Sequence, residues 1–149
     1  CPHKYTEDFP AANQIFYRNN ILRRGNLIAR ADAVMTGSND NRPVRLLIRG
    51  GSIAAGHGVT KSYADLLRKM LSAHGIDITN RSRFRETSFE GVDTFHSDVL
   101  PFRPDILLIH FGIDDAFFPV YRSEFKENLV RIIRMTRERF TPRIFLLTS

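Results

Sequence analysis

Ser52 lies in the stretch LIRGGSIAAGHG, residues 47–58, where an apolar run meets two glycines and then further small residues. A hydroxyl at such a junction can serve as a nucleophile, as a phosphate-loop ligand or as a helix cap. The phosphate-loop reading fails on spacing. A Walker loop needs G-x-x-x-x-G-K-[ST], but Gly51 and Gly56 are followed by His57 and Gly58. No G-x-G-x-x-G occurs here either, so a dinucleotide fingerprint is excluded. The cap reading remains open, because a serine after a strand commonly caps the next helix and Gly50 and Gly51 suit a tight turn. The nucleophile reading needs a base to take the hydroxyl proton and N–H donors to hold an oxyanion. Of the five histidines, His57 follows Ser52 just beyond the turn and is near enough in sequence to approach it. His110 falls inside an apolar run and reads as a core residue, while His3, His74 and His96 lie in the leader, near a helix end and on a short helix.

The elements that would position Ser52 follow from periodicity. VRLLIRGG, PDILLIHFG and RIFLLTS read as strands, and IDITNRS as a short strand running into a loop. SYADLLRKMLSAHG carries Tyr63, Leu66, Leu67, Met70 and Leu71 at helical spacing. SEFKENLVRIIRMTRERF places Phe125, Leu129, Ile132, Ile133 and Thr136 in register on a long helix. GVDTFHSDVLPF reads as a short helix closed by Pro101, and residues 21–37 as a helix ending at Gly37. Strands alternate with helices, and the strands are continuous apolar runs, which predicts an α/β fold with a mostly parallel sheet covered on both faces. Working residues in such sheets gather at the carboxyl ends of the strands, where Ser52 and the segments after Asn80 and Phe111 all fall.

Three of these loops together carry a family resemblance. GGSIAAG resembles the first block of the SGNH, or GDSL-like, hydrolases, with glycine where aspartate usually precedes the serine. NRSRFRETSFEG resembles the second block, in which an asparagine-led loop supplies an oxyanion glycine ahead of a Thr-Ser pair. PDILLIHFGIDD resembles the third, a strand ending in Gly-x-Asn-Asp. The likeness runs from about Val44 to Ser149, and the lead-in RRGNLIARADAV is similar to that of a Gly-Gly-Ser-Ile subgroup. The resemblance implies a flavodoxin-like three-layer α/β/α sandwich, incomplete at its C-terminus in this chain. It implies ester or acyl hydrolysis of a small lipid or acetylated-carbohydrate ester, without cofactor or metal. Ser52 would be the nucleophile and would lend its own N–H to the oxyanion hole.

The remaining oxyanion positions depart from the family. Matching Thr87-Ser88 to the family's pair puts Arg85 where the glycine belongs, and no glycine lies within RSRFRE in any register. Matching Gly112 puts Asp114 where the family has asparagine, with Asp115 on the usual aspartate. Arg85 still offers a backbone N–H. An ionised Asp114 only accepts hydrogen bonds and would repel an oxyanion, and losing one such donor costs about 10²–10³ in rate. The opposite charges predict that Arg85 and Asp114 pair across the site. The family's Asp-x-x-His segment finds no match, so the base is expected from a histidine outside this chain and the 149-residue chain is expected to be inactive. A degenerate fold that binds a ligand or partner without turnover is the competing expectation.

The bulk properties narrow the remaining options. The 149 residues are 42% apolar and 26% charged, enough for one domain with its own core. Residues 1–43 read as a leader with one helix packed on the domain, and 44–149 as the hydrolase-like domain. The net charge of +6 favours anionic partners, although the arginines are scattered and only RSRFR, residues 81–85, forms a dense basic cluster. A solvated basic face is expected there rather than a nucleic-acid site. The single cysteine is Cys1, which precludes an internal disulfide. It is read as a cut start in preference to the acylated first residue of a lipoprotein. The apolar final strand suggests a fragment and predicts pairing with a second copy through that edge.

Overall fold

The computed structural model describes residues 42–148. The expected leader and its helix lie outside them, apart from Arg42 and Pro43. Four strands, β1 (Val44–Gly50), β2 (Ile76–Asn80), β3 (Ile106–His110) and β4 (Arg143–Leu146), form one sheet in the order β2-β1-β3-β4, and every pairing is parallel. Six α-helices accompany them among the described residues: α1 (Ser52–Ala55), α2 (Tyr63–Leu71), α3 (Ser88–Asp93), α4 (Phe95–Asp98), α5 (Ile113–Phe117) and α6 (Arg122–Arg137).

Side chains alternate across the sheet with period two, which splits the core into two layers. Leu46, Ile48, Ile76 and Ile78 face one side and pack with Ala54 of α1 and Ala64, Tyr63, Leu67 and Leu71 of α2. Leu47, Leu107 and Ile109 face the other and pack with Val92, Phe95, Val99, Phe111 and Ile132, reinforced by Phe125, Leu129 and Ile133 of α6. The result is the three-layer α/β/α sandwich, with a central pair of strands buried on both faces. β4 is the edge of the described sheet beyond β3.

Three expectations need correction. Leu66 and Met70 are 50% and 66% exposed. Helix α2 therefore lies on the sheet by Tyr63, Ala64, Leu67 and Leu71, a narrower stripe than the apolar spacing suggests. The segment GVDTFHSDVLPF is two helices and a 3₁₀ turn that includes Pro101, and α3 begins earlier, at Ser88. Its start is set by a capping box: the Thr87 N–H donates to Glu90 Oε2 at 2.8 Å. Finally, FGIDDAFF folds into the short helix α5, whose single turn is too brief to show a period.

Candidate active site

The site forms where β1 and β3 end. Residues 50 and 51 must turn the chain within van der Waals contact of its neighbours. A Cβ on Gly51 would collide with Asp114 Oδ2 and with the Glu86 carbonyl, so only glycine lets all three loops meet here. The Gly51 N–H donates to the His110 carbonyl at 3.2 Å, holding the turn to the end of β3. Ser52 then opens α1. Asn80, at the end of β2, donates to the Ala54 carbonyl at 2.8 Å and accepts from the Ser82 N–H at 3.0 Å, tying the second loop to α1.

Ser52, Arg85 and Asp114 come together at this turn. The Arg85 N–H donates to Ser52 Oγ at 3.0 Å. Ser52 Oγ donates to Asp114 Oδ1 at 2.6 Å, and the Ser52 N–H donates to Asp114 Oδ2, also at 2.6 Å. Asp114 thus holds both polar groups of the serine, and it is itself buried. Gly112, with φ of 134°, supplies the turn out of β3 that aims Asp114 at Ser52.

The expected ion pair between Arg85 and Asp114 does not form. Both Asp114 oxygens already accept from Ser52, and the Arg85 guanidinium instead lies over the Phe118 ring at 5.2 Å and near Phe84 at 5.9 Å. Arg85 adopts φ of 62°, the left-handed region that favours glycine, which is the residue the resemblance expects there. A side chain at such a position is strained by about 1–2 kcal/mol.

His57 lines the same cleft, but its ring stacks on Phe84 with centroids 3.7 Å apart. Among the described residues no histidine hydrogen-bonds to Ser52. His110 is a core residue, as expected: burial pushes its imidazole below the usual histidine range, Nδ1 lies 3.4 Å from the Tyr63 hydroxyl and Nε2 has no partner. Asp115 points away from the cleft. Its Oδ1 accepts from the Ser88 N–H at 2.9 Å and the Ser88 hydroxyl at 2.6 Å, and Asn128 of α6 donates to that hydroxyl at 3.1 Å.

Behind the Arg85 loop stands an ion network that pattern reading misses. Arg49, 1% exposed near the end of β1, donates from Nη2 to Glu86 Oε1 at 2.7 Å and from Nη1 to Glu86 Oε2 at 3.0 Å. It also bonds the Thr94 hydroxyl and the Arg81 carbonyl. Asp98, wholly buried, lies 3.5 Å from Arg49 and 2.6 Å from Arg83, with Arg81 at 3.3 Å. Burial raises the Asp98 carboxyl, but the Arg83 hydrogen bond and the Arg49 and Arg83 charges outweigh it, holding the group below the usual carboxylate range. Two arginines of the RSRFR cluster are therefore engaged with carboxylates. The available signal was a second arginine, Arg49, following the apolar run Leu46–Ile48 near the end of β1.

The cleft above Ser52 measures about 450 Å³ and is walled by Ile53, His57, Phe84, Ile113, Phe117 and Phe118, with Arg85 and Asp114 as its charged members. It is a mainly apolar slot with a serine hydroxyl at its floor. Among the described residues there is no cluster of His, Cys, Asp and Glu suited to a metal ion.

Comparison with known proteins finds a match over residues 48–148 to the GDSL-like lipase/acylhydrolase family. Among solved structures, TesA is 26% identical, with a TM-score of 0.64 over 70% of this chain and 60% of that one. AlinE4, an SGNH-hydrolase family esterase, is 27% identical, with a TM-score of 0.62 over 72% and 59%. Axe2-W215I, an acetyl xylan esterase from Geobacillus stearothermophilus, shares the fold at 22% identity and a TM-score of 0.59, over 72% and 61%. The chain spans less than two thirds of the length of each of these. No curated protein matches it.

Proposed function

The chain belongs to the GDSL-like lipase/acylhydrolase family, and on that premise we propose that Ser52 is the nucleophile of a serine esterase acting on small esters, of a lipid or an acetylated carbohydrate. One observation carries the reading: the Ser52 hydroxyl sits at a strand-to-helix turn, bonded by the Arg85 N–H, on the floor of an apolar cleft. Ser52 Oγ would attack the ester carbonyl carbon, and the carbonyl oxygen would take the negative charge. The Ser52 and Arg85 N–H groups, bonded to Asp114 and to Ser52 Oγ in the structure, would turn to that oxyanion as donors. The acyl-serine would then be released by water, with the alcohol leaving first.

Asp114 sets the condition for turnover. As long as it accepts from the Ser52 N–H, that donor is not free for an oxyanion. Its carboxyl must swing away from the Ser52 N–H before that donor can meet an oxyanion. The base is assigned to a histidine outside the described residues. This rests on the absence of any bonded histidine within them, and on the greater length of the similar structures. The test is hydrolysis of 4-nitrophenyl acetate by the full-length protein beside its Ser52→Ala form. Activity that disappears with Ser52 supports the reading.

The same Asp114 contact favours a second reading, in which the site binds a ligand and does not turn it over. Equal, background hydrolysis by wild type and Ser52→Ala would select it.

A further inference from the structure

Three facts about Arg85 converge. It holds a left-handed backbone conformation at φ of 62°, where glycine would be unstrained. Its guanidinium stands in the Ser52 cleft against the faces of Phe118 and Phe84. No carboxylate among the described residues pairs with it, although Arg81 and Arg83 in the same loop are both bound to Asp98. The loop therefore carries a strained arginine whose charge is unmatched from within and faces the place where a substrate would lie. Backbone strain at a site is a reason to look for function in the side chain that bears it.

We infer that Arg85 reads an anionic group on the ligand, so that the cleft selects esters whose apolar or aromatic body carries a carboxylate, phosphate or sulfate. The specificity deepens the esterase reading and rests on it only for the word ester. Phe84, Phe117 and Phe118 supply the apolar wall: Phe117 is 81% exposed and Phe84 53%, side chains that a ligand would cover. Arginine suits this task because its planar fork bonds oxyanions in two places while its face stays on an aromatic ring. With Asp114 seated on Ser52, an anionic group is disfavoured at the floor of the cleft and is steered toward Arg85 as the ligand first binds. The net charge of +6 adds a general attraction for such ligands.

Binding of two isosteric probes to the full-length protein, phenylacetate and neutral phenylacetamide, tests this by calorimetry or by NMR titration. Phenylacetate is expected to bind about tenfold more tightly, as one charge-assisted contact implies. Arg85→Gln should level the two, and Arg85→Lys, which keeps the charge but neither the planar fork nor the ring stacking, should keep only part of the preference. Equal affinities in the wild type, no measurable binding of phenylacetate, or a preference that survives Arg85→Gln would each overturn the inference. Neither probe carries an ester. A failed 4-nitrophenyl acetate assay would thus leave this result standing, and a failed binding assay would leave the Ser52 comparison standing.

Discussion

Asp114 and Asp115 are neighbours in sequence and do the same local thing to two different serines. Each carboxylate accepts from its serine's N–H and from its hydroxyl, Asp114 at Ser52 and Asp115 at Ser88, and each serine opens a helix. The surroundings make the outcomes diverge. Ser88 is fully buried, and Asn128 completes its bonding from α6. Ser52 opens onto the cleft, where water or a ligand can replace a lost partner. Asp114 spreads its two bonds over both oxygens and acts as a reversible cover at the cleft, whereas Asp115 takes both on Oδ1, leaves Oδ2 buried without a partner and acts as a structural clamp inside the protein. Burial decides which, because an orphaned polar group is costly only where water cannot reach it.

The sharpest way to break the comparison is to truncate both carboxylates. Asp115→Ala is expected to lower unfolding stability by about 3 kcal/mol, since two bonds to a charged group vanish and the Ser88 donors are stranded. Asp114→Ala should change it by less than about 1 kcal/mol, because water in the cleft can reach the Ser52 N–H and hydroxyl. Urea unfolding of both variants measures the gap, and equal losses would show that Asp114 is as structural as its neighbour. Asp115→Asn keeps an acceptor at Oδ1 and should fall between the two.

Asp114→Asn sharpens the functional half. An amide can donate to an oxyanion where the carboxylate cannot, so kcat/KM for 4-nitrophenyl acetate should rise by about 10²-fold in the full-length protein. A rate that stays flat or falls would mean that Asp114 is no obstacle, and that its contact with Ser52 belongs to the working site.

Asp98 provides a third carboxylate, buried like Asp115 but paired with cations, and its pH response should set it apart. Its folded pKa is held below the ordinary value, despite the opposing effect of burial, by the Arg83 bond and the Arg49 and Arg83 charges. In the window between the two values the unfolded chain binds more protons, so stability rises with pH there. The contribution is complete above the ordinary aspartate pKa of about 4 and is lost as pH falls through the depressed one. Denaturant titrations below pH 5 should show this slope, and Arg83→Gln should flatten it. An unchanged slope would place the stabilisation in the remaining partners, Arg49 and Arg81.

These contrasts mark how far the sequence could be read. Apolar runs at β1 and β3 are legible because a strand buried on both faces reads as a near-continuous apolar stretch rather than an alternating one. The gathering of Ser52, Arg85 and Asp114 follows from topology, since all three sit at carboxyl ends of parallel strands. Hydrogen-bond partners are another matter. Opposite charge predicts that Arg85 and Asp114 attract, but the Ser52 N–H and hydroxyl are closer and better aligned, and the Phe118 face offers the guanidinium an alternative. The Arg49 network joins residues 32 to 49 positions apart, which no local pattern encodes. The capping box Thr87-x-x-Glu90 was the readable signal for α3.

The smallest expected effect concerns the backbone at Arg85, and it turns on a reversal of sign. Replacing a residue by glycine ordinarily costs about 0.5–1 kcal/mol relative to alanine, because glycine has more freedom to lose on folding. At φ of 62° that order should invert: alanine keeps the left-handed strain, and glycine removes it. Both variants lose the same guanidinium and the same contact with Phe118, so their difference isolates the backbone. Arg85→Gly should exceed Arg85→Ala in unfolding stability by about 1 kcal/mol, read from paired urea transitions. Both should bind phenylacetate and phenylacetamide alike. If alanine proves the more stable, the strain is absent, and with it one of the three reasons for assigning Arg85 a ligand. If glycine wins and the anion preference disappears, the arginine is held in a conformation the fold would otherwise leave to glycine, and the purpose of its charge lies in the cleft.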